Sequence, residues 1–230
     1  MTDYASTRDR VEHYFDRTAT KVWERLTSDA PVSGVRATVR AGRDRMRELM
    51  LAQLPDDLQG ARILDAGCGT GAMAVELAQR GADVVAVDIS PALVEIAEER
   101  MPENLAGSIS WVAGDMLEAT DGAFDHALAM DSLIYYSAPD IATLLAGAAK
   151  RVSGKFVFTL PPRTPALMAM WRVGKLFPRA DRSPVMVPHT TAGIAKALRD
   201  VGHGGSLTEI ERIKSGFYIS TAHVFEGGLA

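Results

Sequence analysis

Short apolar runs recur along the middle of the chain, and most end at a polar residue or a glycine. The five runs are 61–65, 83–88, 108–112, 124–130 and 155–160. Runs of this length, rich in Val, Ile, Leu, Ala and Phe, predict buried strands. The segments between them have helical spacing, and Ser90-Pro91 supplies an N-cap and a first-turn proline for one such helix. Strands that alternate with helices predict an α/β domain built on a mostly parallel sheet.

Further segments flank this alternating core on both sides. Residues 1–60 have the pattern of two helices, separated at Ser33-Gly34 by turn chemistry. Toward the other end, the pattern predicts a helix that starts near Thr190 and then an antiparallel pair of strands at 206–214 and 217–225. We therefore predict a single domain, 1–230, with a helical cap (1–60), a ligand-binding core (61–160), a lid insertion (161–188) and a C-terminal helix with a strand pair (189–230).

Composition narrows the class of protein. With 230 residues and 47% hydrophobic content, the chain can bury one substantial core. A single cysteine excludes a disulfide framework, and the absence of a long apolar run predicts a cytoplasmic protein that does not span a membrane. The net charge of -4 argues against a nucleic-acid partner, which would favour a basic domain.

The segment that follows the first run carries the strongest chemical signal. Gly67, Gly69 and Gly71 allow a tight turn and a close approach to a ligand, and the next helix offers free N–H groups. The spacing G-x-G-x-G differs from the dinucleotide pattern G-x-G-x-x-G, and the carboxylate of Asp65 would repel a pyrophosphate. An acid that faces an ammonium group, beside a helix N-terminus that faces a carboxylate, suits the methionine end of S-adenosylmethionine.

This loop resembles the D-x-G-x-G-x-G motif of the class I methyltransferase superfamily. The resemblance implies S-adenosylmethionine as methyl donor and a Rossmann-like fold: a seven-stranded, mostly parallel sheet with helices on both faces and an antiparallel last strand. Asp88 ends the second run, 17 residues after the last of the three glycines, where a carboxylate would bind the ribose hydroxyls. By the same resemblance, Asp115 would accept from the adenine amine and Met116 would cover the ring. Ile89 and Met130 complete the predicted cofactor site.

Four arginines form one stripe on the second predicted helix of the cap. Arg36, Arg40, Arg43 and Arg47 follow one another at spacings of 4, 3 and 4 residues. One interpretation is the solvated face of an amphipathic helix. The other is that one or two of these guanidinium groups, with Arg36 and Arg40 as the candidates, grip a substrate carboxylate by bidentate pairing.

The lid insertion contains an apolar stretch, 166–177, bounded by prolines. A stretch of this length is too short to span a bilayer. An ordinary packed helix, a lid over a large flat apolar substrate and a surface that touches a membrane are all compatible with it. We take Trp171 as a candidate substrate contact, and Trp171 together with Phe177 as candidates for peripheral membrane contact.

Two more segments narrow the resemblance. The pattern Val11-Glu-His-Tyr-Phe15 with Trp23 downstream, and the run Asp131-Ser-Leu-Ile-Tyr-Tyr136, are similar to magnesium-protoporphyrin IX methyltransferases of (bacterio)chlorophyll biosynthesis. The resemblance implies methyl transfer from S-adenosylmethionine to one propionate carboxylate of the porphyrin, which gives the monomethyl ester. It also implies an enzyme of photosynthesis, peripheral at the cytoplasmic face of the photosynthetic membrane, that meets the porphyrin-binding subunit of magnesium chelatase.

The implied reaction depends mainly on positioning. A propionic acid has a pKa near that of Glu, about 4.3, so it is ionised at neutral pH and needs no general base. Tyr14 and Tyr135 are the predicted catalytic residues, as groups that orient the acceptor, and His13 is a further predicted substrate contact. The magnesium ion belongs to the substrate, and we predict no protein-bound metal because the histidines lack ligand spacing.

Two other functions stay open at this stage. The chain could methylate another small apolar acceptor, such as a quinone precursor, but a phenol with a pKa of about 10 would require a base or a metal. Alternatively, it could bind S-adenosylmethionine or a porphyrin without catalysing a reaction.

Overall fold

The computed structural model of this protein describes residues 4–16, 27, 34–116, 121–165, 168 and 185–227. The helices in this part are α1 (Tyr4–Tyr14), α2 (Val35–Leu51), α3 (Ala72–Gln79), α4 (Pro91–Glu99), α5 (Ala138–Ala148) and α6 (Thr191–Asp200). The strands are β1 (Arg62–Ala66), β2 (Asp83–Asp88), β3 (Ser108–Ala113), β4 (His126–Ala129), β5 (Lys155–Leu160), β6 (Ser206–Ser215) and β7 (Tyr218–Glu226). A short 3-10 helix covers Leu133–Tyr135.

The strands form one seven-stranded sheet in the order β3-β2-β1-β4-β5-β7-β6. Strands β1 to β5 are mutually parallel, whereas β7 pairs antiparallel with both β5 and β6. The chain order reverses between β1 and β4, and ligands of open α/β sheets bind at such a switch point, beyond the carboxyl ends of the strands. The predicted Rossmann-like, seven-stranded and mostly parallel sheet with one antiparallel strand is confirmed.

Alternate side chains of the central strands enter two separate hydrophobic clusters, one on each face of the sheet. In β1, Leu64 joins the cluster that contains α5 and α6, while Ile63 joins the cluster that contains α2 and α3. Val85 and Val84 divide in the same way in β2. Because successive strand residues point to opposite faces, both faces of the sheet must be covered, and helices lie on both.

The predicted boundaries agree closely with the structure where turn chemistry marks them. Ser90 caps α4, with its hydroxyl oxygen accepting from the backbone N–H of Leu93 at 3.4 Å, and Pro91 is the first helical residue. Strand β4 is shorter than the predicted run 124–130, because Phe124 makes only an isolated bridge to Val152 and the ladder ends at Ala129.

The lid insertion is described only at its two ends, and both Trp171 and Phe177 lie outside the described residues. Its second end is tied to the core, since the N–H of Val187 donates to the carbonyl of Ile134 at 2.8 Å. Pro162 and His189 form a bridge across the base of the insertion. No described helix is long and apolar enough to cross a membrane.

Candidate active site

A cavity of about 420 Å³ opens at the carboxyl ends of β1 to β4. Residues that follow or end these strands form its floor, and side chains of α1 and α2 form another wall. Four acids reach it from the strand ends, namely Asp65, Asp88, Asp115 and Asp131. Three arginines of α2 face it from the other wall, namely Arg40, Arg43 and Arg47. The cavity therefore has an acidic floor beneath a basic helix.

Asp65 lies within β1 and is only 1% exposed. Burial and the neighbouring Asp88 raise the pKa of Asp65 to about 7, against the opposing effect of a hydrogen bond from the backbone of Ala74 in the first turn of α3. The Oδ2 atom of Asp65 is buried and has no hydrogen-bond partner among the described residues. A buried carboxylate with one oxygen that accepts no hydrogen bond would be stabilised in its ionised form by a cationic ligand.

Asp88 ends β2 and receives two backbone N–H groups through separate oxygens, from Gly69 at 2.8 Å and from Ser90 at 2.9 Å. Burial raises the pKa of Asp88 to about 6, and these hydrogen bonds oppose the rise. The glycine turn and the end of β2 are thereby locked together. Gly67 must lack a side chain, because a Cβ atom there would lie 2.3 Å from the Cβ of Ser132.

Helix α1 covers Asp115, which follows β3. The hydroxyl of Tyr4 donates to Oδ1 of Asp115 at 3.0 Å, and Arg8 reaches Oδ2 at 3.5 Å. The ring of Tyr4 stacks on Tyr136 with centroids 4.9 Å apart. Burial and the charge of Asp115 raise the pKa of Tyr136 to about 12, and the pKa of Tyr4 is raised as well, so both phenols stay protonated. The first helix is thus connected to the predicted adenine side of the cavity.

Asp131 follows β4 and joins three elements. Its carboxylate pairs with Arg43 of α2 and accepts from the hydroxyls of Tyr218 in β7 and Thr159 in β5, each at 3.1 Å. Its backbone N–H donates to the hydroxyl oxygen of Thr159 at 2.8 Å. The φ angle of Asp131 is +57°, a conformation that costs a non-glycine residue about 1–3 kcal/mol. These contacts hold the residue in place despite that cost.

Tyr135 lines the cavity beside this group. Burial, Asp131 and Tyr14 all raise the pKa of Tyr135, so its phenol is a hydrogen-bond donor at neutral pH. Phe15 packs edge-on against Tyr135 with centroids 6.3 Å apart, and Tyr14 packs against Phe15 at 5.2 Å. The aromatic end of α1 therefore lies next to the 131–136 segment, so the structure brings the two matched segments of the sequence together.

Most of the predicted site residues lie together. Those that line the cavity are Asp65, Gly67, Gly69, Asp88, Ile89, Asp115, Met116, Met130, Tyr135 and Arg40. Four others do not line it, namely Gly71, Tyr14, His13 and Arg36. Gly71 is the N-cap of α3 and packs against Trp111, and Arg36 is exposed. Trp171 is outside the described residues.

Several cavity residues were not predicted from the sequence. Tyr4 and Arg8 lie in a short polar helix whose pattern carries no signal of a site, and Asp131 resembles an ordinary strand end. Arg43 belongs to the recognised stripe, but helical spacing alone does not distinguish it from Arg36. Tyr218 reaches Asp131 because β7 pairs with β5. Knowledge of this long-range strand pairing could have identified Tyr218 as a residue of the site.

The residues present fit S-adenosylmethionine. Asp65 offers a carboxylate oxygen without a described partner for the ammonium group, beside the N-terminus of α3 for the methionine carboxylate. Asp88 lies at the end of β2, where ribose hydroxyls are bound in such folds. The fold and this site define a class I S-adenosylmethionine-dependent methyltransferase, and residues 63–153 match the family model described as a methyltransferase domain.

Comparison with known proteins identifies the family. Residues 129–226 match the model described as Magnesium-protoporphyrin IX methyltransferase C-terminus. The chain is 58% identical to Magnesium-protoporphyrin O-methyltransferase of Rhodobacter capsulatus, over 95% of this chain and 96% of that protein. It is 30% identical to the protein of the same name from Synechocystis, over 91% of this chain and 92% of that protein. The chain belongs to the magnesium-protoporphyrin methyltransferase family.

A solved structure agrees with this assignment. The crystal structure of magnesium protoporphyrin IX methyltransferase from Synechocystis PCC 6803 with bound SAH aligns with a TM-score of 0.77 and 28% identity. The alignment covers 94% of this chain and 98% of that chain. The similarity therefore includes the helical cap and the C-terminal strands as well as the cofactor-binding core.

Proposed function

We propose that this chain transfers a methyl group from S-adenosylmethionine to a propionate carboxylate of magnesium-protoporphyrin IX, giving the monomethyl ester, in (bacterio)chlorophyll biosynthesis. The observation that carries the proposal is the 58% identity over 95% of the chain to a magnesium-protoporphyrin O-methyltransferase. This similarity extends well beyond the glycine loop that methyltransferases of many substrates share. It includes α1, α2 and the 131–136 segment, all of which contribute residues to the lining of the cavity.

On the cofactor side, three acids divide the ligand between them. Asp65 would face the ammonium group, Asp88 the ribose hydroxyls and Asp115 the adenine amine. Ile89 and Met116 would contact the adenine ring from the apolar wall of the cavity. When bound, S-adenosylmethionine supplies an electrophilic methyl group, and the chain's task is to hold that group in line with the acceptor oxygen.

On the acceptor side, the chain orients a group that is already a nucleophile. Tyr135 would donate a hydrogen bond to the acceptor at the cavity, with Tyr14 behind it through their shared packing on Phe15. Arg40 adds positive charge to this wall. The aromatic side chains exclude water, which favours a step in which a carboxylate and a sulfonium neutralise each other.

A phenol acceptor fits this wall less well, since it would need a base to remove its proton. On this side of the cavity, Asp44 pairs with Arg47, and Asp131 already accepts from Arg43, Tyr218 and Thr159. The lone pairs of the Asp131 carboxylate are therefore already engaged, and it is poorly placed to accept the proton of a phenol. The geometry therefore favours an acceptor that arrives ionised.

We also propose that the 161–188 insertion contributes an apolar contact surface, either for the porphyrin-binding chelatase subunit that delivers the substrate or for a membrane. The support is that Val185 and Met186, at its described end, are 54% and 52% exposed. Co-sedimentation with anionic liposomes, and separately pull-down with that subunit, would test each contact. Val185→Ser combined with Met186→Ser should weaken whichever contact is real.

Turnover tests the main proposal directly. The purified chain is incubated with methyl-labelled S-adenosylmethionine and, in parallel, magnesium-protoporphyrin, metal-free protoporphyrin and a dihydroxyphenol. We expect a labelled monomethyl ester from the magnesium porphyrin. Absence of that ester would refute the proposal, and a methyl ether from the phenol would indicate a quinone-type acceptor instead.

A further inference from the structure

The arginines of α2 have different partners, although four of the five form one stripe in the sequence and only Arg45 lies outside it. Arg47 pairs with Asp44 at 3.0 Å and with Glu76 of α3. Arg45 points outward and pairs with Glu211 at 3.0 Å. Arg43 lines the cavity, as Arg47 does, but it pairs with Asp131 after the end of β4, and its side chain is 19% exposed. Arg43 differs from the other two because its partner belongs to the floor of the cavity at the strand ends, whereas their partners belong to α2, α3 and β6.

The position of Arg43 is determined by close packing of α2 on β7. Gly42, the preceding residue, has no room for a side chain, since a Cβ atom would lie 2.7 Å from the Tyr218 ring. The Tyr218 hydroxyl then reaches both oxygens of Asp131, at 3.1 and 3.4 Å. Asp131 thus receives Arg43 and Tyr218 from two elements that already touch each other. Asp131 has a φ of +57°, which is uncommon for a residue other than glycine, and these contacts hold it there.

The same group lies close to the glycine turn. Ser132, next to Asp131, donates from its hydroxyl to the carbonyl of Ala66 at 2.7 Å, one residue after Asp65. A group held by Arg43 would therefore lie near the methionine end of the cofactor site. Without Arg43, the charge of Asp131 would repel an acidic acceptor from this position.

We propose that Arg43 binds the propionate carboxylate that receives the methyl group, and that Asp131 and Tyr218 are positioning residues that hold its guanidinium group for this purpose. The inference rests on the proposed function. A planar guanidinium group has several N–H donors and can bind carboxylates along two edges. In the reaction, the carboxylate oxygen forms a bond to the methyl carbon while the carbon–sulfur bond breaks, and its electron pair goes to sulfur. No proton moves.

This arrangement distinguishes substrate from product. The acid carries a negative charge that attracts Arg43, whereas the ester is neutral at the same atoms. The attraction is lost when the methyl group arrives, so the product is held less tightly than the substrate. Asp131 keeps Arg43 in position after the carboxylate has been neutralised.

The test compares two porphyrins on the same proteins. Magnesium-protoporphyrin and its dimethyl ester share the macrocycle and the metal, but only the first carries carboxylates. We expect Arg43→Gln to raise KM and Kd for the diacid about tenfold or more while Kd for the dimethyl ester and for S-adenosylhomocysteine stays within about twofold. Arg43→Lys should restore part of the affinity. Arg45→Gln, which removes an exposed charge from the same helix, should leave all three values unchanged.

The positioning residues are tested by coupling. Asp131→Asn retains the tolerance for positive φ, and Tyr218→Phe retains the ring that packs on Gly42. Each should raise Kd for the diacid, and neither should raise it further when combined with Arg43→Gln, because all three changes remove one function. Thermal unfolding of each variant verifies that it is folded.

Other results would overturn the inference. These are an unchanged KM for the diacid in Arg43→Gln, equal losses for diacid and dimethyl ester, or additive effects of Arg43→Gln and Asp131→Asn. Failure of the proposed function is distinguishable, since it shows as absence of ester from the wild-type chain. The comparison of the two porphyrins by binding does not depend on turnover.

Discussion

Asp65 and Asp88 are buried acids that lie close together on the floor of the cavity. Burial raises the pKa of Asp65 to about 7 and that of Asp88 to about 6. In the free protein, Asp65 is therefore partly protonated at neutral pH. The ammonium group of a bound cofactor favours the ionised form, so binding must release a proton below that pKa.

This linkage predicts a pH-dependent cofactor affinity. As the pH falls below about 7, a larger fraction of Asp65 is protonated in the free protein and must lose its proton when the cofactor binds. Kd for S-adenosylhomocysteine should therefore rise, toward about tenfold per pH unit. Isothermal titration calorimetry between about pH 5.5 and 8 measures it. Asp65→Asn should bind weakly and lose the change in Kd near pH 7, whereas a change near pH 6 that Asp88 causes should remain. A wild-type Kd that does not vary with pH would contradict the assignment of Asp65.

The same carboxylate predicts a stability cost in the free protein. The pKa of Asp65 is raised from 3.8 in the folded state, so between about pH 4 and 7 the folded protein keeps a proton on Asp65 that the unfolded chain has released. The contribution of Asp65 to the free energy of unfolding is therefore present below about pH 4 and is lost as the pH rises through about 7. At about pH 8, Asp65→Asn without cofactor should be more stable than the wild type by roughly 1–3 kcal/mol. Urea unfolding measures the difference. The exposed Asp56→Asn serves as control and should change it little, and a destabilised Asp65→Asn would refute the argument.

At the residue scale, the sequence predicts which residues lie at the cavity better than it predicts which side chains contact one another. Asp65, Asp88 and Asp115 were predictable cavity residues because each lies at the end of a parallel strand, and those ends meet at one edge. That Arg8 contacts Asp115, and that Tyr218 contacts Asp131, depends on which distant elements come together. A sequence pattern with helical or strand period contains no information on such contacts.

At the scale of elements, the turn from β1 into α3 depends on Gly71. Its φ angle is +85°, and a Cβ atom would lie 2.5 Å from the Trp111 ring and 3.1 Å from Ala97. The third glycine of the motif thus allows α3, α4 and β3 to pack closely, and it does not line the cavity. The motif predicts a direct cofactor contact at this glycine, whereas the structure indicates a packing role.

Gly71→Ala should therefore be strongly destabilising. Left-handed strain adds about 1–2 kcal/mol and the overpacked contact with Trp111 about 1–3 kcal/mol. Gly202→Ala is the matched control, since its φ is +78° but no described atom lies within 4 Å of the added Cβ. It should lose only the strain. Denaturant unfolding of both variants would separate the two costs. Equal losses in the free energy of unfolding would show that the Trp111 side chain moves aside at little cost.

At the scale of the whole molecule, the sheet and the cofactor acids follow from local patterns, whereas the cap does not. Strand runs, glycine spacing and the Ser90 cap determine the core from neighbouring residues alone. Helix α1 is mostly polar and buries only Thr7 and Val11, so its own sequence does not predict a packed position. It is placed by polar and aromatic contacts to segments more than a hundred residues away, such as Tyr4 with Asp115.

Because α1 and the adenine side of the cofactor share Asp115, their binding should be coupled. Tyr4 and Arg8 hold Asp115 from the helix side, and Ser90, in the loop 88–90 at the end of β2 (the ribose loop), contacts Asp16. A cofactor that orders Asp115 and the ribose loop should therefore stabilise α1 against local opening. We expect amide hydrogen exchange in residues 4–16 to slow by about tenfold when S-adenosylhomocysteine is added in excess. In Tyr4→Phe combined with Arg8→Gln, this protection should shrink while protection in β1 and β2 remains. Equal protection of α1 in the variant and the wild type would show that the helix docks independently of the cofactor.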